Sequence, residues 1–280
     1  RGKKKIIFND LLFLLFFLYY IYILLYFYTF MSNKKEIKYF HLRKIEPGST
    51  VLIIGGSGTG KTTISRNILY YNYKRLRLTY LISNTENINN DYEGVIPGGF
   101  IWESIDDSSL SVLLEDQNAV MSKIKNGTCP ENTKSMACLI MDDVTKSDFK
   151  QKKNILDKIF FMGRHRKLLK IIGVHDTLIL PSTYREQVDY IIITSLVGKK
   201  KKESLFEQFW NDRWGDKKVM EKCIKKLVNV SEHKFMILNN KSSKTSSCKN
   251  FSDYVFWGKA HDPKRLLRKK VASDAIWKIN

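Results

Sequence analysis

Eight residues constrain this chain more than any others. Gly55-Gly56-Ser57-Gly58-Thr59-Gly60-Lys61-Thr62 stands directly after the apolar run Val51–Ile54 and before a helical stretch from Thr62 to about Tyr71. The pattern is G-x-x-x-x-G-K-[ST] in the setting that gives it meaning: buried strand, glycine loop, helix. Such a loop turns successive backbone N–H groups toward a polyphosphate, and the helix N-terminus adds its positive end. Lys61 reaches the outer phosphates, the Thr62 hydroxyl is placed to ligate Mg²⁺, and Thr63 continues the cradle. The ligand is a nucleoside triphosphate, with ATP and Mg²⁺ the expected pair.

The loop needs a partner carboxylate for the metal. About 80 residues on, Ala137-Cys138-Leu139-Ile140-Met141 is an apolar strand ending in Asp142-Asp143. Asp142 is the expected metal-holding acid. Asp143 is the expected general base, polarising the attacking water. Charge growing on the γ-phosphate also needs a cation, donated in cis or by a neighbouring subunit. Arg164, in Gly163-Arg164-His165-Arg166-Lys167, is the residue singled out; Arg166 and Lys167 suit a solvated helix end favoured by the helix dipole. His175 follows the strand Lys170–Val174 at its C-terminal edge, where ligand sites of α/β sheets form. It is placed to sense the γ-phosphate or orient the water, or else serves as a structural histidine.

Apolar runs recur at Val51–Ile54, Thr79–Ile82, Ala137–Met141, Lys170–Val174, Tyr190–Thr194 and Phe235–Leu238, with helical stretches between most of them. Strands alternating with helices predict a mostly parallel central sheet flanked by helices, the α/β core of a P-loop NTPase. Residues 83–135 carry few periodic signals and read as an insertion or long loop excursion. Residues 241–250 read as a flexible loop. Asp262-Pro263 offers an N-cap and first position for a short basic helix.

Leu11 to Phe30 contains no charge and is long enough to span a membrane. It holds only Leu, Phe, Tyr, Ile and one Thr, without the small residues that let membrane helices pack. Met31 then opens a polar stretch. The expectation is that residues 1–30 are translated upstream sequence, with a membrane-anchoring helix as the alternative. Residues 31–260 form the P-loop ATPase domain, and 261–280 a basic C-terminal tail. The formal net charge is +20. Residues 1–30 contribute only four bases and one acid, so the basic character belongs to the body. That balance predicts a polyanionic partner, nucleic acid or an anionic membrane. Lys199-Lys200-Lys201-Lys202 is the densest basic run, a DNA-facing element or a solvated loop. Four cysteines without C-x-x-C spacing fit a reducing compartment.

Taken together these residues resemble the virion DNA-packaging ATPases of nucleocytoplasmic large DNA viruses, poxvirus-like, within the FtsK–HerA superfamily. The matching stretches are Ile54–Thr63, Leu139–Val144, Gly163-Arg164-His165, Leu180-Pro181 with Arg185 and Asp189-Tyr190, Phe235–Asn240 and Val255–Ala260. The Gly-Arg-His and Phe-Trp-x-Lys-Ala stretches are the more specific. The resemblance implies a RecA-like (ASCE) core, a homo-oligomeric ring, and ATP-driven translocation of double-stranded DNA into a capsid. It implies a place in the host cytoplasm, at the viral factory, and in the virion, with capsid or membrane proteins as further partners. It makes Arg164 the trans-acting finger, with Arg185 second. Asp143 in place of Glu is ordinary for this family. His175 departs from it, standing where the family usually has Gln. The competing readings are a small P-loop phosphotransferase, a membrane-anchored DNA-segregation ATPase, and a membrane-anchored interaction protein with a relic nucleotide site.

Overall fold

The continuous apolar runs become strands buried on both faces. The computed structural model describes residues 37–129, 134–210, 214–243 and 250–261. All of the strands and helices named below belong to the compact unit that begins at Lys38. The hydrophobic stretch Leu11–Phe30, the segment from Asp262 onward and residues 244–249 of the expected loop lie outside the described residues.

Strand β1 (Thr50–Ile54) is buried at every position and delivers the chain into the glycine loop and then helix α1 (Lys61–Asn72). Strand β2 (Leu76–Ser83) follows, then a single helical turn α2 (Glu86–Asn89), the two-residue strand β3 (Ile101–Trp102) and the long helix α3 (Asp107–Lys125). Next come β4 (Met136–Asp142), helices α4 (Lys146–Gln151) and α5 (Lys153–Asp157), a π-turn at Lys158–Met162, and β5 (Leu168–Val174). A short helix α6 (Ser182–Arg185) leads to β6 (Tyr190–Ile193). Helices α7 (Lys199–Leu205) and α8 (Lys217–Leu227) precede β7 (Lys234–Asn239) and β8 (Val255–Lys259).

The eight strands form one sheet in the order β3-β2-β4-β5-β1-β6-β7-β8. The pairings from β3 through β6 are parallel, and β7 runs antiparallel to both β6 and β8. All the parallel strands therefore end at one edge of the sheet, and the phosphate loop, Asp142 and Val174 share that edge. The core expected from the sequence is present, and the mixed α/β, mostly parallel architecture is the expected one.

Three local expectations are corrected. The described part of residues 83–135 is more regular than a long loop excursion. It holds α2, β3 and the 19-residue α3. That helix starts where Asp106 accepts the Ser109 N–H at 2.8 Å, and it buries only Leu110, Leu113, Leu114 and Gln117. So narrow and partly polar a stripe gives a faint periodic signal. The lysine run at Lys199–Lys202 is the first turn of α7 rather than a loop. The first three residues of the loop expected over 241–250 belong instead to a helical turn, Asn240–Ser243, after β7. Sequence reading also passed over β3 and did not read β8 as a strand.

Candidate active site

The loop is a shaped object whose glycines are dictated by close approach. A Cβ on Gly55 would stand 1.9 Å from the Thr194 hydroxyl oxygen and 2.4 Å from that of Thr59. Gly58 and Gly60 adopt φ of 68° and 90°, the left-handed region open to glycine at little cost. Thr194, directly after β6, braces the loop: its Oγ1 lies 2.8 Å from Thr59 Oγ1 and donates to the Ile54 carbonyl at 3.2 Å. Thr59 Oγ1 in turn donates to the Gly56 carbonyl at 2.8 Å. Sequence reading missed Thr194; its one signal was a hydroxyl ending an otherwise apolar strand.

Lys61 is 7% exposed, and its ammonium lies back along the loop, donating to the carbonyls of Gly55 at 3.3 Å and Gly56 at 3.2 Å. Its Nζ is 3.9 Å from Asp143 Oδ1. Thr62 Oγ1 donates to Asp142 Oδ2 at 3.1 Å. The hydroxyl and the carboxylate expected to share a metal are therefore already in contact. Asp142 is buried at the end of β4. Burial, reinforced by the adjacent Asp143 charge, raises its carboxyl above the usual carboxylate range. The buried Tyr92 adds a long contact from its hydroxyl to Asp142 Oδ2 at 3.5 Å. Glu86, also buried here and raised by burial, accepts the backbone N–H of Tyr92 at 2.6 Å and of Asp91 at 3.2 Å, so it shapes this wall.

Asp143 leaves the strand with φ 55°, a left-handed backbone uncommon for a non-glycine residue. Strain of this kind costs on the order of 1 kcal/mol and collects at functional positions. It brings Asp143 Oδ1 within 3.3 Å of His175 Nε2. The other ring nitrogen, Nδ1, lies 3.2 Å from the Gly55 carbonyl, which can only accept. Nδ1 is thus the donor, and Nε2 is the nitrogen left facing Asp143. His175 joins the ends of β1, β4 and β5 in one contact set.

Arg164 lies elsewhere. It precedes β5, at the sheet edge opposite the phosphate loop, and β1 alone spans roughly 16 Å at about 3.3 Å per residue. Its guanidinium donates to Asp189 Oδ1 at 2.6 Å, while Asp189 Oδ2 accepts the Thr50 N–H at 2.9 Å. A role for Arg164 on the phosphate of its own subunit is incompatible with this placement. Nearly half the side chain is nevertheless open to solvent. Arg185 closes α6, four residues before Asp189, and donates to the Leu180 carbonyl. Neither arginine lines the cleft that contains the loop and the acid pair.

That cleft has a volume of about 370 Å³ and runs from Asp142 and Asp143 past Lys61, Thr62 and Thr63 to Val230 and His233. It brings the glycine loop, one ammonium and an acid pair together. Among solved structures, the pCW3 conjugation coupling protein TcpA in its monomer form with ATPγS shares the fold. Its TM-score is 0.56 at 15% identity, over 84% of this chain and 66% of that one. By sequence, the uncharacterized protein L437 of Acanthamoeba polyphaga mimivirus is 28% identical over 242 residues, 83% of this chain and 80% of its own. The uncharacterized protein 075L of Invertebrate iridescent virus 6 is 29% identical over 174 residues, 58% of this chain and 65% of its own. A family model described as Poxvirus A32 protein matches residues 34–269, and the chain belongs to that family.

Proposed function

We propose that this protein is an ATP-hydrolysing motor that drives double-stranded DNA into a viral capsid during genome packaging. One observation carries the hydrolase reading: Lys61, Thr62, Asp142 and Asp143 converge at one sheet edge within a single cleft, with His175 beside Asp143. Membership of the poxvirus A32 family supports the packaging role.

In this reading the loop from Gly55 to Thr63 binds the phosphates of ATP, and Lys61 swings from its carbonyl partners onto the outer ones. Thr62 and Asp142 are hard oxygen donors in contact, beside a second acid, a set that suits Mg²⁺. Thr62 and Asp142 would hold the ion, which would supply neutralisation of the phosphate charge. Asp143 accepts a proton from the water attacking the γ-phosphorus, and ADP leaves as the β–γ bond breaks. His175 lies between Asp143 and the Gly55 carbonyl of the loop, next to the water-activating acid. The solvent-open guanidinium of Arg164 serves the site of the next subunit in a ring, with Arg185 the second candidate. Duplex DNA is held through its phosphates without base reading. The viral factory in the host cytoplasm and the virion are the corresponding locations, with capsid or membrane proteins as further partners.

Among the described residues no helix is long and apolar enough to cross a membrane. The test is phosphate release by the purified protein with and without duplex DNA, beside Lys61→Ala. Turnover stimulated by DNA and abolished by Lys61→Ala is expected. A rate indifferent to DNA, with phosphate passed instead to a nucleoside phosphate, would make the protein a phosphotransferase.

A further inference from the structure

The phosphate loop fixes where a triphosphate lies, and the sheet order says where the rest of the nucleotide must go. Asp142 and Asp143 end β4, on the β5 side of β1. A triphosphate whose last phosphate points toward them runs back over the start of α1, so its nucleoside emerges on the β6–β7 side. The turn entering β7 stands there. His233 Nδ1 is 4.0 Å from the point a Cβ on Gly60 would occupy. Val230 is 40% exposed, and both residues line the same cleft as Lys61, Thr62 and the acid pair.

This turn is fastened at both ends. Asn229 and Lys234 exchange backbone hydrogen bonds of 3.1 and 2.8 Å. The His233 N–H donates to the Val230 carbonyl at 3.1 Å, and the His233 carbonyl accepts the Ala260 N–H at 2.9 Å, where the chain leaves β8. His233 itself sits at φ 54°. An exposed isopropyl group and an exposed imidazole are thus held beside the mouth of the loop by backbone contacts that do not involve their side chains.

We propose that Val230 and His233 form the nucleoside wall of the site, packing against the planar base of the bound triphosphate and favouring a purine, whose two rings cover both side chains. The inference rests on the ATP-hydrolase reading. Calorimetric titration of the wild type and of a Val230→Ser/His233→Ala double variant with ATP, CTP and inorganic tripolyphosphate tests it. The wild type binds ATP more tightly than CTP or tripolyphosphate. In the double variant ATP affinity falls about tenfold, the size of a lost base stack, and tripolyphosphate affinity holds. Unchanged ATP affinity in the variant overturns the proposal, as does an equal loss for tripolyphosphate, which would mean a distorted loop. A wild type that binds neither ATP nor tripolyphosphate removes the phosphate-loop reading itself, and the wall with it.

Discussion

Gly173 lies beside Asp142 in the β4–β5 register, and a Cβ at Gly173 would stand 2.4 Å from Asp142 Oδ1. The glycine one residue before the end of an apolar strand is the space into which the acid folds. Gly173→Ala therefore displaces the carboxylate from Thr62 while leaving the strand's hydrogen bonds in place. We expect turnover to fall roughly 10–100-fold, the usual cost of disturbing a residue that supports a metal ligand. Steady-state hydrolysis across a Mg²⁺ titration, with circular dichroism confirming the fold, checks this. Wild-type turnover and Mg²⁺ dependence would remove Asp142 from the metal site.

His175→Gln keeps a side chain that can donate to the Gly55 carbonyl, whereas His175→Ala removes both of the histidine's contacts. We expect the glutamine variant to hydrolyse ATP within about threefold of wild type, and the alanine variant to lose on the order of 100-fold, as for a group that orients a general base. Single-turnover rates compare the two. Equal rates in wild type and the alanine variant would leave His175 a packing residue.

The separation of Arg164 from the cleft makes a complementation experiment decisive. Arg164→Ala keeps its own phosphate loop, and Lys61→Ala keeps its own arginine. Each variant alone should be inactive, with Arg164→Ala losing about 10³-fold or more, as arginine fingers do. Mixed in equal amounts they should recover measurable turnover, because a Lys61→Ala neighbour supplies Arg164 to an intact site. No recovery would confine Arg164 to its contact with Asp189. That contact has its own consequence: Asp189 is 1% exposed, and stripping its partner should lower stability by about 1–3 kcal/mol in urea unfolding.

Lys170 belongs to the same far edge. It is 1% exposed within β5, its Nζ donates to the Gly48 carbonyl at 3.3 Å, and burial lowers its pKa from 10.5 to about 8. Above pH 8 the unfolded chain still holds this proton while the folded chain releases it, so unfolding takes up a proton. Stability from this group therefore rises between pH 8 and 10.5, and its full penalty is present below pH 8. Relative to Lys170→Met, the wild type should gain on the order of 1–3 kcal/mol between about pH 7.5 and 10. Paired urea titrations at the two pH values measure the difference. A constant difference would mean that Lys170 stays charged in the folded protein throughout.

The strands that carry the site were legible because each is an apolar run ended by chemistry: Ile54 by glycines, Met141 by two acids, Val174 by a histidine. The long-range fits were not. Nothing in the spacing of Gly173 and Asp142, or of Gly55 and Thr194, announces that one side chain fills the other's missing Cβ, because both pairs meet only across strands. Arg164 is a different case. Its motif was visible and the resemblance made it a trans-acting residue, but its distance from the loop of its own chain is set by the sheet order. Helix α3 escaped notice because its buried stripe includes Gln117, whose amide donates to the carbonyls of Ser135 and Arg166 instead of packing against oil.

The lysine run Lys199–Lys202 acquires a partner in the fold. Helix α8 buries Met220, Ile224 and Leu227 and leaves Lys218, Lys222, Lys225 and Lys226 exposed on its other side. Ion pairs Lys202–Glu221 at 3.7 Å and Lys217–Glu203 at 3.2 Å tie α8 to α7, whose Lys199 and Lys200 are also exposed. The acids of the two helices are thus occupied by their neighbours, and the exposed lysines are available to DNA phosphates. Each lysine seated on a phosphate contributes about 0.9 to the slope of log affinity against log salt. Replacing Lys199, Lys200, Lys222 and Lys226 with serine should therefore flatten that slope by as much as about 3–4 and weaken binding alike for duplexes of unrelated sequence. Basal hydrolysis without DNA should stay at the wild-type rate, since none of the four lines the nucleotide cleft. Fluorescence anisotropy from about 50 to 300 mM salt reads the slope; an unchanged slope would move the DNA contact to another face of the protein.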